Sequence, residues 1–411
     1  MDTIPAPAES LMPPPERSPK LVPTPRQAKR KSPSLAVTIA LVLVALSLLA
    51  FTAWHVTRSE ALAVALAAEA REDFPTALRT ALDHLDRLPW SRQAALVAAR
   101  CLSRLDYAEA AEPYYRKAGK LSLEDLHYRA YGLVRANLRE RAIQAYKQIL
   151  MQFPGDVTAL RTQAGVLLSQ SRFTDVKPLA AQLIDAPNTA ANTYAPVVKA
   201  GRWTLKAAPV ASPSTIGYTL DGVVNHDTEE FEAAAAAFEK VVKLDPDLHS
   251  MPLDPILFWS HLGFDLLQVG RSEDVIRYLT KAAEGRLDPG LMDLLGQAYA
   301  QQSSFEDAER CWRQALAWDP NHFGATLNLG RFELRRDRPQ EALVLLNRAA
   351  ALKPEAYEPV YSLSLAYRRL GRVDEAKKYQ QKAAEFRRKQ APRTGGMGAP
   401  PSPTQPKPLE K

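Results

Sequence analysis

The last third of the chain repeats the same residue types at intervals of 34 positions. Leu295 and Gly296 return as Leu329 and Gly330. Two series of alanines keep the same interval: Ala308, Ala342 and Ala376, and Ala315, Ala349 and Ala383. A fixed period of this length indicates supersecondary units that bury their apolar faces against one another. The sequence therefore predicts a stack of helical hairpins, an architecture that more often binds other molecules than catalyses reactions.

Each unit of this period has the residue pattern of two helices joined by a short break. In the first well-formed unit, Gly296 on the first helix and Ala308 on the second are small, which lets the two helices approach closely. Tyr299 and Trp312 are spaced to fill the volume beside them. Pro320 ends the second helix because proline cannot donate a backbone hydrogen bond. These residues predict a helical hairpin with a closing turn.

This pattern resembles the tetratricopeptide repeat (TPR), which combines Leu-Gly, Tyr, a small Ala, an aromatic residue and a closing Pro. Units 289–322, 323–356 and 357–388 carry the match. The second unit has Glu333 in place of the tyrosine, and the third has Ser364 in place of the glycine and no closing proline. The resemblance implies an all-α, TPR-type solenoid of antiparallel helix hairpins. It also implies that other proteins bind in a groove lined by the first helices.

The pattern continues upstream in a weaker form. Residues 58–187 are predicted to form a degenerate TPR-like array, with ordinary alanine-rich helices that do not stack as the alternative. Turn-forming residues interrupt the pattern at 188–230, and the C-terminal array occupies 231–388. We predict that the interruption is an irregular linker or one diverged hairpin. The alternative is a binding loop that uses Trp203 and Tyr218.

An apolar segment lies near the other end of the chain. Residues 35–56 contain no acidic or basic side chain apart from His55. A helix of this length spans about 33 Å, enough for a hydrocarbon layer of about 30 Å, and Trp54 lies where an interfacial anchor is expected. The sequence therefore predicts a transmembrane helix. A cleaved signal peptide is the alternative, with the triplet Ala61-Leu62-Ala63 as its cleavage motif, but the apolar run exceeds the usual signal core.

The net charge is concentrated at the two ends of the chain. Residues 1–34 hold six basic and three acidic side chains and residues 385–411 hold six and two, which accounts for the formal charge of +7. A neutral body argues against nucleic-acid binding. The basic excess before the apolar segment predicts a cytoplasmic N-terminus, with the repeats outside the cytoplasm and periplasmic in a bacterium. The proline-rich ends, 1–34 and 389–411, are predicted to be disordered.

The sequence contains no recognisable motif for catalysis, cofactor binding or metal binding. The seven histidines are scattered without metal-ligand spacing, and there is no phosphate loop, dinucleotide fingerprint or nucleophile elbow. Cys101 and Cys311 fall in separate units, so each is expected to behave as a small buried residue. The sequence therefore predicts a protein that is not an enzyme, with no cofactor and no small-molecule substrate.

The repeat phase places polar, basic and aromatic residues on the predicted groove. The candidate partner-binding residues are Gln297, Gln301, Arg331, Arg335, Tyr361, Arg368 and Arg369. Because arginine pairs with carboxylates through two parallel hydrogen bonds, we expect an acidic or carboxylate-bearing segment as ligand; the alternative is that these arginines only solvate the surface. The carboxylate clamp of some TPR proteins is not expected. Asn328 fits that clamp, but Asp293, Gly324 and Glu358 carry no positive charge.

These expectations together describe a membrane-anchored TPR scaffold or adaptor that helps to assemble or organise a cell-envelope complex. Its partners would be other proteins, held in the groove, and the lipid bilayer, contacted by residues 35–56. One alternative is a noncatalytic TPR subunit of an enzyme system that modifies envelope polymers. Another is a secreted, soluble TPR binder, which requires cleavage of the apolar segment.

Overall fold

The structure of the chain is a computed structural model. It describes residues 35–187, 194–199, 202–207, 212–248, 253–284 and 288–390. The chain divides into two compact units, residues 1–63 and 64–411, and the repeats lie in the second. The tails predicted to be disordered lie outside the described residues, except that 389 and 390 form the end of the last helix.

Helices account for nearly all of the described residues. They are α1 (Leu35–Ala70), α2 (Phe74–Arg87), α3 (Arg92–Arg104), α4 (Ala108–Ala118), α5 (Leu123–Arg135), α6 (Arg139–Gln152), α7 (Val157–Leu168), α8 (Phe173–Asp185), α9 (Pro213–Asp227), α10 (Phe231–Leu244), α11 (Pro255–Gln268), α12 (Ser272–Ala283), α13 (Pro289–Gln301), α14 (Phe305–Trp318), α15 (Phe323–Arg335), α16 (Pro339–Leu352), α17 (Tyr357–Arg369) and α18 (Val373–Gln390). Strands β1 (Tyr194–Lys199) and β2 (Arg202–Ala207) lie between α8 and α9 and pair antiparallel, with Val198 opposite Trp203. The expected TPR-type helical solenoid is confirmed, and this strand pair is its one departure from an all-α fold among the described residues.

A residue with left-handed backbone geometry lies between the two helices of each hairpin. These turn residues are Glu72, Asp106, Asn137, Ser171, Glu229, Gly270, Ser303, Asp337 and Gly371. The left-handed region has a steric cost for residues with a Cβ, so its recurrence at a fixed place in the repeat indicates a shared turn geometry. The turn connects a first helix to a second helix and makes the hairpin the unit of the fold.

A small buried residue lies seven positions before every one of these turn residues. The series is Ala65, Ala99, Ala130, Ala164, Gly222, Gly263, Gly296, Gly330 and Ser364. Where it is glycine, the partner is the side chain sixteen positions later on the second helix. A Cβ added to Gly296 would lie 2.5 Å from Trp312 Nε1, and one added to Gly222 would lie 2.6 Å from Phe238. The two helices of these hairpins therefore approach too closely for any larger residue.

Most first helices begin with a side-chain cap and most second helices do not. Ser91, Ser122, Asp156 and Asp288 each accept a hydrogen bond from a backbone N–H in the first turn of the helix that follows. Such caps satisfy donors that have no partner inside the helix. The second helices α4, α6, α14 and α16 start directly after the left-handed turn without one. The turn geometry itself thus sets where these second helices begin.

The periodic alanines and the two cysteines lie in the apolar core. Ala308, Ala315, Ala342 and Ala349 are fully buried, and Ala376 and Ala383 of the last hairpin nearly so. Cys101 and Cys311 are buried and unpaired, as expected from their positions in separate units. The core runs as a chain of local clusters between neighbouring hairpins, for example Leu346 and Ala349 of α16 with Leu363 and Ala366 of α17. Each hairpin thus depends mainly on its neighbours for burial.

The range 188–230, for which the sequence predicts an irregular linker or one diverged hairpin, contains regular structure. It contains β1, β2 and the 15-residue helix α9, which packs on α8 and α10. Ser212 and Pro213 mark the start of this helix, and Gly217 and Gly222 lie where α9 meets Ile184 and Phe238. Gly217 and Gly222 resemble loop-forming residues in the sequence. In the structure they are helical, and they allow neighbouring helices to approach closely. The C-terminal array therefore begins with α9, inside the predicted interruption.

The described residues include no helix that is long and apolar enough to cross a membrane. Residues 35–56 belong to α1, and the side chains of 39–49 are the described part of that range. The predicted transmembrane helix is not confirmed.

We expect Gly296→Ala to lower the free energy of unfolding by about 1–3 kcal/mol, because its Cβ would overlap the Trp312 ring. Gly165→Ala is the matched control. Gly165 is an exposed helical glycine with nothing within 4 Å of the added Cβ, so alanine there should stabilise the protein by about 0.5–1 kcal/mol. Urea unfolding followed by circular dichroism measures both. Equal stabilisation by the two substitutions would show that close helix approach does not limit residue 296.

Candidate functional site

The first helices of consecutive hairpins contact one another along the C-terminal array. These contacts join α11 to α13, α13 to α15, and α15 to α17. We call the accessible face formed by α13, α15 and α17 the C-terminal first-helix surface. All seven candidate residues lie on these helices: Gln297 and Gln301 on α13, Arg331 and Arg335 on α15, and Tyr361, Arg368 and Arg369 on α17. Gln297 is half-buried and the other six are exposed.

Candidate residues occupy equivalent places in successive repeats when they are counted back from the turn residue. Gln297 and Arg331 both lie six residues before the turn of their hairpin, at what we call the six-before position. Gln301, Arg335 and Arg369 all lie two residues before it, at the two-before position. Residues four apart share one helix face. The two positions therefore form two rows that run across neighbouring helices.

A buried carboxylate lies at the α13 end of this surface. Asp293 is only 7% exposed, and it accepts hydrogen bonds from Asn328 Nδ2 at 2.8 Å and Gln297 Nε2 at 3.2 Å. Gly324 leaves the space that the carboxylate occupies, since a Cβ there would collide with it. The amides of Asn328 and Gln297 are thus turned toward a carboxylate of the same chain. Asn328, the residue that fits the clamp pattern, therefore donates its amide to Asp293.

Burial raises the pKa of Asp293 above its ordinary value. The hydrogen bond from Asn328 and the charge of His322 act in the opposite direction and lower the pKa, but burial is the larger effect. Desolvation disfavours the charged form, and hydrogen bonds to the carboxylate favour it. When Asp293 is ionised, its amide partners offset the cost of burying the charge. The pair Asp293 and Asn328 joins α13 to α15 and was not predicted, because the two residues are 35 positions apart in the sequence.

Two arginines follow on α15. Arg331 and Arg335 are exposed, and neither forms a salt bridge with another described residue. Although the Arg331 side chain reaches solvent, the surrounding protein partly desolvates it and so lowers its pKa; the charge of Arg335 lowers the pKa further, and Glu358 acts in the opposite direction. Arginine nevertheless stays protonated at neutral pH. The middle of the surface therefore presents two like charges whose repulsion an anionic ligand would relieve.

The last helix of the surface adds aromatic rings and further positive charge. Tyr361 is 40% exposed and stacks on Tyr357, with the ring centroids 5.6 Å apart. Arg368 is exposed, with no salt bridge recorded in the described part of the chain. Arg369 lies toward the edge, where its guanidinium is 3.9 Å from Asp337 in the preceding turn. The surface thus changes from polar on α13 to basic on α15 and to basic and aromatic on α17.

Glu333, which replaces the tyrosine of the TPR pattern, is a structural residue. It is 3% exposed, and its carboxylate lies 3.5 Å from Arg338 Nη1 and 3.8 Å from Arg313 Nη2. A buried carboxylate is tolerated when opposite charges lie close to it. The charges of Arg338 and Arg313 therefore offset the cost of burying a carboxylate at the position of the TPR tyrosine. Glu333 does not contribute an acidic group to the candidate surface.

A cluster of titratable residues lies further upstream, on the first helices α9 and α11. His226 Nδ1 is 2.6 Å from Asp265 Oδ1, and the His226 and His261 rings stack 4.2 Å apart. The hydrogen bond with Asp265 raises the pKa of His226, whereas burial lowers the pKa of His261 to about 4. Sequence spacing missed this cluster because its members come from different repeats. The described residues contain no group of three or more ligands able to hold a metal ion.

Comparison with known proteins identifies the class of repeat. Sequence models of the tetratricopeptide repeat match residues 218–248, 294–357 and 357–390. The first of these ranges covers most of α9 and all of α10, and the other two cover the C-terminal hairpins. Tetratricopeptide repeats are therefore confirmed in this chain. TPR proteins are generally noncatalytic scaffolds. No curated protein matches the sequence.

Solved structures of several TPR proteins resemble the chain in part. MamA shares 24% identity, covering 45% of this chain and 98% of its own, with a TM-score of 0.35. A thermophilic TPR protein of Thermus thermophilus shares 21% identity over 43% of this chain and 93% of its own, with a TM-score of 0.37. YrrB, described as a TPR protein with an unusual peptide-binding site, shares 16% sequence identity. The match covers 54% of this chain and 98% of YrrB, with a TM-score of 0.40. Scores this low indicate nothing about the function of this chain.

We expect Asn328→Ala to destabilise the fold by about 1.5–3 kcal/mol at neutral pH, because Asp293 would lose a hydrogen bond to its carboxylate. Since the pKa of Asp293 is raised, its carboxyl protonates as the pH falls through that value, and the loss should shrink. A double-mutant cycle with Asp293→Ala, measured by urea unfolding, is the control. If Asn328→Ala costs as much without the Asp293 carboxylate as with it, the two residues are not coupled.

Proposed function

We propose that this protein is a TPR adaptor that binds an extended, acidic segment of another protein on its C-terminal first-helix surface. The supporting observation is a set of exposed arginines on adjacent helices, Arg331, Arg335 and Arg368, for which the described residues provide no salt bridge. Tyr361 lies on the same surface and is exposed. Arginine and tyrosine are enriched where proteins recognise one another.

The N-terminal array supports the acidic character of the ligand. Arg100 and Arg104 of α3 occupy the six-before and two-before positions of their hairpin, as Arg331 and Arg335 do in α15. Both are paired with carboxylates of the same chain. Arg100 Nε is 2.5 Å from Asp125 Oδ1, and Arg104 Nη1 is 3.4 Å from Glu69 Oε1. Asp125 belongs to α5 and Glu69 to α1, so arginines at these two positions can reach carboxylates along the row of first helices.

Affinity on this surface requires several contacts together. A single exposed ion pair contributes only about 0–1 kcal/mol, because water and salt screen it. Three arginines arranged across α15 and α17 can hold two or more carboxylates of an extended segment, and Tyr361 adds an apolar contact beside them. We expect binding of moderate strength that weakens as the salt concentration rises.

We predict that replacing Arg331, Arg335 and Arg368 together by alanine raises the Kd of a fluorescein-labelled, glutamate-rich peptide by about tenfold or more, since three pairing sites are lost. The dependence of the Kd on salt should also flatten. Fluorescence anisotropy at two salt concentrations measures both effects.

The matched control is a second triple variant, which removes three positive charges from the second helices instead of the first. Arg310 of α14 and Lys377 and Lys378 of α18 are exposed, and their combined replacement by alanine should leave the Kd nearly unchanged. Equal weakening by the two triple variants would indicate general attraction to positive charge and would rule out the proposed surface.

We further propose that residues 35–56 anchor the protein in a membrane, with the repeats outside the cytoplasm, in the periplasm of a bacterium. The absence of acidic and basic residues other than His55 from this range supports the proposal. So does the exposure of large apolar side chains on α1, among them Ile39 at 51%, Leu41 at 61% and Leu49 at 65%. Rows of exposed apolar side chains mark surfaces that contact lipid or protein. An anchored adaptor would serve the assembly or organisation of an envelope complex, where tethering raises the local concentration.

We expect the full chain to remain in the membrane pellet after alkaline carbonate extraction, and a variant that lacks 35–56 to be released. The mass of the mature N-terminus should correspond to an uncleaved chain. An alkaline phosphatase fused to the C-terminus should be active, since that enzyme folds only outside the cytoplasm. Release of the full chain by carbonate, or a mature N-terminus beyond residue 56, would contradict the anchor.

A further inference from the structure

The strand β2 lies on the first helices of the N-terminal array. It contacts α3 and α5, which are the first helices of consecutive hairpins. Trp203 is 1% exposed and Leu205 is 7% exposed. Residues two apart share one face of a strand, so this pair forms the face of β2 that is covered. In the C-terminal array the corresponding helices carry the candidate partner-binding residues.

Trp203 is held by aromatic side chains of α5. Its ring meets Tyr131 edge to face, with centroids 4.8 Å apart, and lies 5.8 Å from Tyr128. Tyr131 occupies the six-before position of its hairpin, the place that Arg331 has in α15. Aromatic pairs in this geometry contribute about 0.5–1.5 kcal/mol beyond their buried area. The chain therefore places its own tryptophan where a partner would contact the C-terminal repeats.

The backbone of β2 also behaves as a bound peptide would. Leu205 N donates to Tyr128 Oη at 3.4 Å, and Thr204 Oγ1 lies 3.3 Å from the same oxygen. Domains that recognise extended peptides combine contacts to the main chain with pockets for alternate side chains. Here Tyr128 contacts the main chain, and Trp203 and Leu205 are the alternate side chains.

The surface beneath β2 is held in place by charge. The guanidinium of Arg104 lies 4.1 Å from the centroid of the Tyr128 ring, and it also pairs with Glu69. By contrast, the indole N–H of Trp203 is buried without a hydrogen-bond partner. An unpaired buried donor costs free energy. Arg104 Nε beneath the strand is likewise buried without a partner. The tryptophan is therefore held by its ring contacts with Tyr128 and Tyr131, and its indole N–H makes no hydrogen bond that a replacing segment would have to reproduce.

We propose that the first helices α3 and α5 form a second segment-binding site, which the protein fills with its own strand β2 and in which Trp203 is the anchor. A segment that replaces β2 carries a tryptophan followed by an apolar residue two positions later, in extended conformation. The site takes an aromatic ligand, and it uses helices that are separate from the C-terminal first-helix surface. The two surfaces therefore select different segments.

The experiment supplies the strand as a separate molecule. The probe is a fluorescein-labelled peptide with the sequence of residues 194–207, titrated into the full chain and followed by fluorescence anisotropy. The variant Trp203→Ala with Leu205→Ala removes both side chains that β2 buries. We expect this variant to bind the peptide at least about tenfold more tightly than the wild type, in which the tethered strand competes.

Two further variants locate the binding. Tyr131→Ala added to the variant should abolish peptide binding, because the edge-to-face partner of the tryptophan is lost. The combined replacement of Arg331, Arg335 and Arg368 by alanine should leave it unchanged, which separates this test from that of the acidic-segment surface. Circular dichroism shows whether the variant Trp203→Ala with Leu205→Ala is folded. If it is not, the same titration is done with a chain in which a Gly/Ser linker of equal length replaces residues 194–207. Equal binding to wild type and variant, or no effect of Tyr131→Ala, overturns the proposal.

Discussion

The close approach of two helices within each hairpin is the contact on which the rest of the structure depends. It needs a small buried residue on the first helix, from Ala65 to Ser364, and a left-handed turn seven residues later. Where the small residue is glycine, the backbone lies directly against a Phe, Leu or Trp of the second helix. This contact fixes how the two helices cross. It thereby leaves the opposite face of the first helix outside the hairpin, next to the first helices of the neighbouring repeats.

Because the turn repeats, the six-before and two-before positions recur with the same placement and different chemistry. In α3 they are Arg100 and Arg104, which pair with carboxylates of the same chain. In α5 the six-before position is Tyr131, which contacts Trp203 of β2. In α15 they are Arg331 and Arg335, which are exposed. One backbone geometry thus serves internal ion pairs, an internal aromatic contact and an accessible basic surface. The described structure contains the first two, and the third is the basis of the proposed function.

The sequence predicted the repeat class and the placement of the candidate residues because both follow from local periodicity. For 188–230 it left an irregular linker and one diverged hairpin both open, because Pro213 and Gly217 are typical of loops when read locally. In the structure Pro213 begins α9, and Gly217 and Gly222 lie against side chains of neighbouring helices. The sequence missed the contact of Asp265 with His226, which are 39 residues apart. Such contacts depend on how repeats are stacked. No spacing rule within one repeat can reveal them, because the side chains come from different units.

By itself the sequence determined the period, the hairpin and, for α13, α15 and α17, the residues that lie on the first-helix surface. Small residues, turn residues and helix ends act within one unit, and their effect is the same wherever that unit stands in the array. Only the tertiary structure decided which of the exposed faces is already occupied. β2 covers α3 and α5 because Trp203 and Leu205 are apolar and find the rings of Tyr128 and Tyr131 beneath them. The burial of that strand depends on helices that precede it by more than 60 residues, so it follows from the stacking of the whole array.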